Sequence, residues 1–531
     1  MGGATQLADA VVQRGSRPKS AWWALVFLAL AQFMVVLDGT IVNLALPRLQ
    51  MEMGISDLTR SWVVTAYALV FGAFLLLGGR IADFWGRKRT FMAAAVGFAA
   101  ASLIGGIAQQ PWELIGARAL QGVFAALLAP AALALLTVAF PGGKDRGTAF
   151  AIFGSISGVG AAVGVLLGGF LTEHVTWRWC FFVNVPIAII ALAGVWSFVS
   201  ESRAQRSTRY DWPGVVLAAL GLASLVYGFT NAEHGWDAPE AWGFIAAGVV
   251  LLALFVLVET KVKHPLLPLR VATERNRGAA FLASFLSGAV LIGGTLFINF
   301  YIQMVLGFAP FLAGLASVPM TVVLIVTAGL VAKSLPKLGA RIPTAAGPVF
   351  MAAAMLWLTQ VSAGGSYIVN MLPALLLLGA GLGMVFVPMQ NLALFGVDKD
   401  DSGVASALVN ASQQIGGSLG IALFSTIAAA GSAAAGGAGL AALSAGYAQV
   451  FLWAAGVAIL IAPVALLLIS IDRRKFTGTE SDDAPMNAPD RPELFSNACP
   501  AGAETQGPMR KGRRREVLGL PPSSFGVADC L

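Results

Sequence analysis

The stretch AWWALVFLALAQFMVVLDGTIVNLA, residues 21–45, decides the fold class of this 531-residue chain. It contains a single charge, Asp38, and a helix needs roughly 20 apolar residues to cross a bilayer. Apolar runs of similar length recur as far as Ile471, and 57% of all residues are hydrophobic. The runs lack the alternation that barrel strands require, so helices must satisfy the backbone hydrogen bonds inside lipid. The sequence therefore predicts an all-α polytopic membrane protein.

The lengths of these runs predict fourteen transmembrane helices. They lie at residues 22–45, 60–79, 90–109, 112–138, 147–171, 180–199, 213–231, 241–259, 279–304, 310–332, 343–362, 370–395, 403–428 and 447–471. Arg14, Arg17 and Lys19 precede the first run, as in a signal peptide, but its length and Asp38 favour an uncleaved helix. The Ala/Gly-rich stretch 428–448 is interpreted as a loop that is helical at most in part.

Charged connections at about 201–211 and 260–277 divide the helices into groups of six, two and six. This pattern predicts two six-helix bundles with an inserted helix pair. The predicted domains are a cytoplasmic N-terminus (1–20), an N-terminal bundle (21–202), the inserted pair with its linkers (203–277), a C-terminal bundle (278–472) and a disordered cytoplasmic tail (473–531).

The net charge of +7 raises the question of a nucleic-acid partner, which the positions of the charges answer. Lys and Arg concentrate on the connections that share a side with the N-terminus, whereas Arg48, Arg60 and Arg178 fall on the other side. This is the positive-inside distribution of multi-pass proteins. It predicts a cytoplasmic-membrane protein with both termini in the cytoplasm, and it needs no nucleic acid to explain the charge.

The sequence lacks the residue patterns that ATP hydrolysis, metal binding and catalysis require. The chain contains no Gly-x-x-x-x-Gly-Lys-Ser/Thr stretch, so ATP hydrolysis is not expected and energy must come from an ion gradient. His174, His234 and His264 fall in different predicted loops, and the three cysteines lack metal-ligand spacing. We expect no enzyme activity, no metal and no cofactor.

Asp38 and Arg118 are the two charged residues expected within the membrane. A carboxylate near the bilayer centre costs roughly 2.5–3.5 kcal/mol, so an unneeded one is disfavoured. A carboxyl that alternates between protonated and ionised can carry a proton, and Arg118 in the fourth span lies at a similar depth. The alternatives are a hydrogen bond that only joins helices and a permanent ion pair that only fixes helix register.

Two further patterns in the sequence contain glycine, one in the fifth span and one in the loop after the second span. Gly160, Gly164, Gly168 and Gly169 line the fifth span, where small residues four apart let helix backbones approach closely. We expect a slidable contact between the two bundles there, with ordinary helix packing as the alternative. The loop after the second span reads GRIADFWGRKRTF, residues 79–91. In this short turn Gly86 relieves backbone strain, Asp83 can pair with a cation or cap the next helix, and Arg87, Lys88 and Arg89 face the cytoplasm.

These motifs carry a family resemblance. The loop at 79–91 resembles the signature of the major facilitator superfamily, and LDGTIVNLALP (37–47) resembles the first-helix motif of its fourteen-span drug:proton antiporters. The likeness continues in RALQG (118–122), WRWCFFVNVP (177–186), HPLLPL (264–269) and GVASALVNASQQIGGSLG (403–420). The resemblance implies two rocking bundles around a midplane site. It also implies that Asp38 and Arg118 couple transport to protons and that the fifth-helix glycines form the exporter motif. The loop residues implied to form the inner gate are Gly79, Asp83, Gly86, Arg87, Lys88 and Arg89, with Asp83 and Arg87 as its latch.

One departure and one substrate inference complete the prediction. The family's fifth-helix motif has Pro after its Gly, whereas here Val165 follows Gly164, so the sequence lacks the residue that kinks this helix in the family. Residues 279–397 and 402–471 contain no Asp, Glu or His, which favours small lipophilic substrates that are neutral or monocationic. The substrate-binding candidates are Asn43, Gln121, Gln303, Gln390, Asn391, Asn410, Gln413 and Gln414, although most amides of this kind can simply join helices.

The predicted function is thus a proton-coupled antiporter that exports such molecules, working as a monomer in the lipid bilayer. The alternatives are an importer or facilitator of a defined metabolite on the same fold, and a membrane receptor or scaffold without transport.

Overall fold

The structure is a computed structural model that describes residues 19–141, 144–203, 211–231, 239–262, 265, 267, 269–395, 397, 402–437 and 439–470. The expected disordered tail, most of the N-terminal segment, His234 and His264 lie outside the described residues.

The described part of the chain contains fourteen helices that are long and apolar enough to cross a membrane. They are α1 (Lys19–Met53), α2 (Asp57–Trp85), α3 (Arg87–Ile107), α4 (Pro111–Ala139), α5 (Lys144–His174), α6 (Trp179–Phe198), α7 (Trp212–Asn231), α8 (Pro239–Glu259), α9 (Arg275–Val305), α10 (Pro310–Leu338), α11 (Arg341–Leu358), α12 (Tyr367–Leu394), α13 (Ser402–Ala434) and α14 (Gly439–Leu468). The predicted all-α fold with fourteen spans is therefore confirmed.

Short turns with side-chain capping join α1 to α2 and α3 to α4. The Ser56 hydroxyl accepts the Thr59 N–H at the start of α2, at 3.2 Å. At the start of α4 the Glu113 carboxylate accepts the N–H groups of Gln109 and Gln110, at 2.8 and 3.1 Å. These contacts satisfy donors that a helix start leaves without a partner. Such tight connections make consecutive helices run in opposite directions.

The helices form two bundles of six. Within the first bundle α2 packs on α4 and α1 on α5, and within the second α10 packs on α12 and α9 on α13. The bundles meet along two helix pairs, α2 with α13 and α5 with α10. The inserted helices α7 and α8 pack on each other, and α7 also contacts α2 and α13. This arrangement is the predicted fold of two bundles plus an inserted pair.

The two ends of the molecule differ in how the bundles meet. We call the end with Lys19 and the α2–α3 turn at Gly86 the basic end, and the end with the α1–α2 turn at Gly54 the opposite end. One continuous apolar core joins the opposite-end half of α1, from Leu37 to Leu49, to the C-terminal bundle. The basic-end half of the N-terminal bundle has its own core, to which α13 contributes Ala411.

Polar contacts close the opposite end. The Ser61 hydroxyl of α2 lies 2.8 Å from the Ser425 hydroxyl of α13. The Glu173 carboxylate of α5 accepts the backbone N–H of Phe311 in α10, at 2.9 Å. The bundles are therefore locked together at this end by both of their helix pairs.

Three local expectations are corrected or refined. The stretch 428–448 is mostly helical, because α13 runs to Ala434 and α14 begins at Gly439, as the high helix propensity of Ala favours. Gly436 and Gly437 make the turn with positive φ. The helix α5 continues through Val165 without a break. The helix α9 contains two π-helical turns that its apolar pattern did not indicate.

Candidate functional site

The charged pair of the first and fourth helices is a closed contact in the middle of the N-terminal bundle. Asp38 and Arg118 are both fully buried, and Arg118 Nη1 lies 2.6 Å from Asp38 Oδ2. The other carboxylate oxygen, Asp38 Oδ1, accepts N–H groups from Gln121 at 2.9 Å and from Asn184 at 2.8 Å. Both oxygens of the carboxylate thus have charged or polar donors.

Arg118 is held from several directions. Its Nε donates to the Val63 carbonyl oxygen at 3.0 Å, and its Nη1 also donates to Gln121 Oε1 at 2.9 Å. Its guanidinium lies 4.3 Å from the centre of the Tyr67 ring, a cation–π contact. Since Val63 and Tyr67 belong to α2, contacts that do not involve Asp38 hold this cation to α2 and α4.

Three members of this network were not among the predicted site residues. Asn184 lies at the start of the long segment of α6, Ser102 on α3 accepts from Gln121 at 2.8 Å, and Tyr67 lies on α2. A signal existed for Asn184, an amide that is followed by an apolar run. Ser102 and Tyr67 gave none, because serine and tyrosine are common in membrane helices with no special role.

The contacts of this network depend on whether Asp38 is ionised or protonated. Ionised Asp38 ties α1 to α4 by an ion pair and to α6 by a hydrogen bond with Asn184. Protonation removes the charge and turns one carboxyl oxygen into a donor, which weakens the contact with Arg118. A proton at Asp38 therefore changes how firmly α1 is held within its bundle.

Replacing Arg118 with Gln should destabilise the protein by about 3–5 kcal/mol, because it leaves Asp38 as an uncompensated buried charge. The double variant Asp38→Asn/Arg118→Gln should recover most of this loss, since no buried charge remains. Thermal unfolding in detergent of both variants and Asp38→Asn gives the comparison. Equal losses in the single and the double variant would contradict the pairing.

The glycines of α5 form the face that packs on α1 beside Asp38. A β-carbon at Gly164 would overlap the Thr40 hydroxyl and lie 3.1 Å from the Leu37 carbonyl oxygen. A β-carbon at Gly168 would overlap the Ile41 carbonyl oxygen. Gly160 faces Val36 on the same side, whereas Gly169 packs against Pro310 of α10. The first three therefore set the distance between α5 and α1 within the N-terminal bundle, so the predicted contact between the bundles is wrong for them. Only the fourth of these glycines lies where the two bundles meet.

Gly168→Ala is expected to lower stability by about 1–3 kcal/mol, because the backbone oxygen it would meet cannot turn away. The matched control is Gly154→Ala on the same helix, where an added β-carbon meets nothing within 4 Å. The control should be neutral or gain a little from the helix propensity of Ala. Melting temperatures in detergent measure both, and equal values would disprove the close contact.

The gate loop residues form a local cluster at the basic end. Arg87 donates to Asp83 Oδ1 from Nε at 3.1 Å and from Nη2 at 2.9 Å, so the two predicted latch residues pair with each other. Gly86 between them has φ of 120°, which favours glycine. Gly79 lies about one turn before Asp83 on α2, near Pro130 of α4.

Glu201 at the end of α6 is a partner of this loop that the sequence did not reveal. Its carboxylate accepts the backbone N–H groups of Lys88 and Arg89, at 3.0 and 3.1 Å, and so caps the start of α3. A β-carbon at Gly86 would lie 2.8 Å from the same carboxylate. The Lys88 ammonium donates to the Trp196 carbonyl oxygen at 2.9 Å. Its conformation thus favours glycine at position 86, and the absent side chain leaves room for the Glu201 carboxylate.

The amide candidates for substrate binding do not form one cluster. Gln121 is engaged with Asp38, while Asn391 and Asn410 are exposed and donate to carbonyl oxygens of their own helices. Among the described contacts no hydrogen bond joins two of the eight candidates. A β-carbon at Gly72 of α2 would approach the Gln414 β-carbon, and one at Gly288 of α9 would approach the Gln413 backbone. Both glutamines therefore lie on tight helix contacts.

Two of these amides have a buried side-chain atom without a hydrogen-bond partner among the described residues. They are Asn43, through Oδ1, and Gln303, through Nε2, and both residues are half-buried. Asn43 lies on α1 five residues beyond Asp38, and Gln303 lies in the second π turn of α9. Gln390 is half-buried on α12. An unsatisfied buried amide costs free energy, so Asn43 and Gln303 are the amides with the most reason to bind another molecule.

Within the described residues no group of three or more His, Cys, Asp or Glu could hold a metal ion.

Comparison with known proteins gives the family. The family model described as Major Facilitator Superfamily matches residues 28–421. Puromycin resistance protein pur8 of Streptomyces alboniger is 45% identical over 416 residues, which are 78% of this chain and 83% of that protein. Cephamycin export protein CmcT of Amycolatopsis lactamdurans is 37% identical over 423 residues, 79% of this chain and 87% of that protein.

Solved structures agree on the fold. The POT family transporter PepTSo superposes with a TM-score of 0.62 at 17% identity, covering 85% of this chain and 98% of that chain. This likeness concerns the arrangement of helices. Together with the family match and the fourteen spans, it shows that the chain is a multi-pass membrane transporter that belongs to the Major Facilitator Superfamily.

Proposed function

We propose that this transporter exports small lipophilic molecules, neutral or monocationic, across the cytoplasmic membrane in exchange for protons. The observation that carries the proposal is the fully buried Asp38, bonded on both oxygens between α1, α4 and α6. The names of the two relatives, a resistance protein and an export protein, support the direction outward. We propose further that the transporter works as a monomer, with the lipid bilayer as its surroundings and without nucleic acid, cofactor or enzymatic step.

The orientation follows from the charges. Lys and Arg concentrate at the basic end, so we assign this end, and both termini, to the cytoplasm. The bundles are joined at the opposite end, which then corresponds to a state closed toward the outside. In this state a substrate would enter from the cytoplasm or from the inner leaflet.

The cycle uses the ion pair as its switch. A proton that reaches Asp38 from outside weakens the Arg118 contact and loosens α1, while its release to the cytoplasm restores the pair. The glycine face of α5 allows α1 and α5 to slide without losing contact. One switch of this kind couples substrate transport to proton transport. A substrate that stabilises one arrangement of the bundles also shifts the equilibrium of proton binding at Asp38.

The substrate class follows from the C-terminal bundle, which offers amides, hydroxyls, aromatic rings and apolar walls. Residues 279–397 and 402–471 contain no Asp, Glu or His, and a dication would need two membrane carboxylates. Asn43 and Gln303, with their unbonded amide atoms, are the residues that we propose to contact a polar group of the substrate. Puromycin, named in one relative, is the first compound to test beside a lipophilic monocationic dye.

The test compares everted with right-side-out membrane vesicles that contain the protein. An exporter should concentrate puromycin or the dye in everted vesicles when their interior is acidic, and an ionophore that collapses the gradient should stop the uptake. Accumulation in right-side-out vesicles would instead identify an importer of the same fold. Equal, gradient-independent entry in both preparations would contradict proton coupling.

A further inference from the structure

A cleft at the basic end combines cationic groups with exposed tryptophans. It lies between the end of α2, the start of α3 and the end of α6, and has a volume of about 350 Å³. Its walls are Trp85, Lys88, Arg89, Met92, Trp196 and Glu201. Trp85 is 47% exposed and Trp196 is 70% exposed, so both rings are open to the surroundings of the protein.

The charges of the cleft leave a net attraction for anions. The Glu201 carboxylate is already used, since it caps the start of α3 and lies 3.8 Å from Arg89 Nε. Lys88 lies 5.4 Å from the centre of the Trp196 ring and donates to the carbonyl oxygen of that residue. The Arg89 side chain is 57% exposed. The two cations, Lys88 and Arg89, outnumber the single carboxylate of Glu201, which already accepts hydrogen bonds. This balance favours the binding of a phosphate group at the mouth of the cleft.

The surface beyond the cleft is apolar along both flanking helices. On α3 the face that begins with Met92 continues through Val96 and Leu103, which are 55% and 45% exposed. On α6 the exposed Ile189 lies two turns before Trp196. The path from Met92 to Leu103 is about 16 Å long at 1.5 Å per residue. This length matches about half of a hydrocarbon core, so it fits the acyl chains of one leaflet.

We propose that this cleft binds an anionic phospholipid, with the phosphate on Lys88 and Arg89, the glycerol region between Trp85 and Trp196, and the acyl chains along α3 and α6. Tryptophans at this level are typical of the membrane–water boundary, and basic pockets between helices bind anionic head groups. The apolar path selects a lipid over a free anion, because phosphate alone needs no such surface. The lipid would hold together the gate loop and the end of α6.

Native mass spectrometry of the detergent-solubilised protein tests the proposal with phosphatidylglycerol and phosphatidylcholine of the same acyl chains. The wild type should bind phosphatidylglycerol more tightly, and Lys88→Gln/Arg89→Gln should weaken this binding about tenfold or more. The matched control is Lys333→Gln/Lys337→Gln, which removes two exposed cations of α10 at the same end but outside the cleft. The control should bind phosphatidylglycerol as the wild type does.

Three results would overturn the lipid site: no preference for phosphatidylglycerol in the wild type, an equal loss in the control, or displacement of the lipid by millimolar inorganic phosphate. Arg89→Gln, which keeps the Lys88 contact with Trp196, replaces the double variant if that one does not fold. It should show a smaller loss in the same direction, and unchanged binding would count against the site. Binding is measured without transport, so the outcome is independent of the proposed export activity.

Discussion

Asp38→Asn is expected to abolish proton-driven uptake of puromycin or the dye in everted vesicles while the protein remains folded in the membrane. The Asn side chain has nearly the shape of the carboxylate and can keep a hydrogen bond with Asn184 or Gln121, but it cannot bind and release a proton. A proton that crosses a gradient equivalent to 100 mV supplies about 2.3 kcal/mol, which corresponds to a roughly 50-fold accumulation. Asp38→Asn should therefore show no accumulation of the substrate above its outside concentration.

The matched control for this prediction is Glu240→Gln. Glu240 is an exposed carboxylate at the start of α8 in the inserted pair, so its replacement changes the net charge by the same amount. Uptake by the control should equal that of the wild type, and both variants must be present in the membrane at similar levels. Driven uptake that survives in Asp38→Asn would show that Asp38 only joins helices.

A disulfide between positions 61 and 425 is expected to stop transport completely and reversibly. The two serine hydroxyls lie 2.8 Å apart across α2 and α13, so cysteines there would bring their sulfur atoms close to bonding distance. The bond would hold the opposite end closed, whereas alternating access requires that end to open once per cycle. Oxidation of Ser61→Cys/Ser425→Cys should remove uptake, and reduction should restore it.

The control pair lies at the same end but within one bundle. Ser56 and Thr59 have side-chain oxygens 3.0 Å apart at the start of α2. A disulfide between Ser56→Cys and Thr59→Cys joins no bundles and should leave transport unchanged. Both pairs are made in a background with Ser in place of Cys180, Cys499 and Cys530. Full transport by the oxidised 61–425 pair would mean that this end does not open.

Much of the fold could be predicted because the bilayer leaves so few choices. Helix number followed from runs of sufficient length, and the grouping into six, two and six followed from two charged linkers. The stretch 428–448 was misread because Ala and Gly are compatible with both a loop and a small-residue helix contact. The π turns of α9 have no signature in the composition of the sequence.

The site residues that could be predicted are those whose charge is costly in lipid. The residues that join the site only through the packing of the helices could not be predicted. Asp38 and Arg118 are costly in lipid, and the structure pairs them. Asn184 contacts Asp38, and Ser102 contacts Gln121, because α6 and α3 are rotated so that these side chains face the pair. A single sequence does not specify such rotations about the helix axes. Glu201 reaches the loop at Lys88 from 113 residues away, a separation that no local motif spans.

The measurement that tests the central claim most directly is the movement of protons driven by substrate. Purified protein in liposomes of uniform orientation, with a pH-sensitive dye inside, receives an imposed gradient of puromycin without any initial difference in pH. We expect substrate flow in one direction to drive protons in the other, at a rate that falls to the protein-free background in Asp38→Asn and stays unchanged in Glu240→Gln. Substrate flow without proton movement, or equal proton movement in the wild type and Asp38→Asn, would contradict the assignment of Asp38 as the proton carrier.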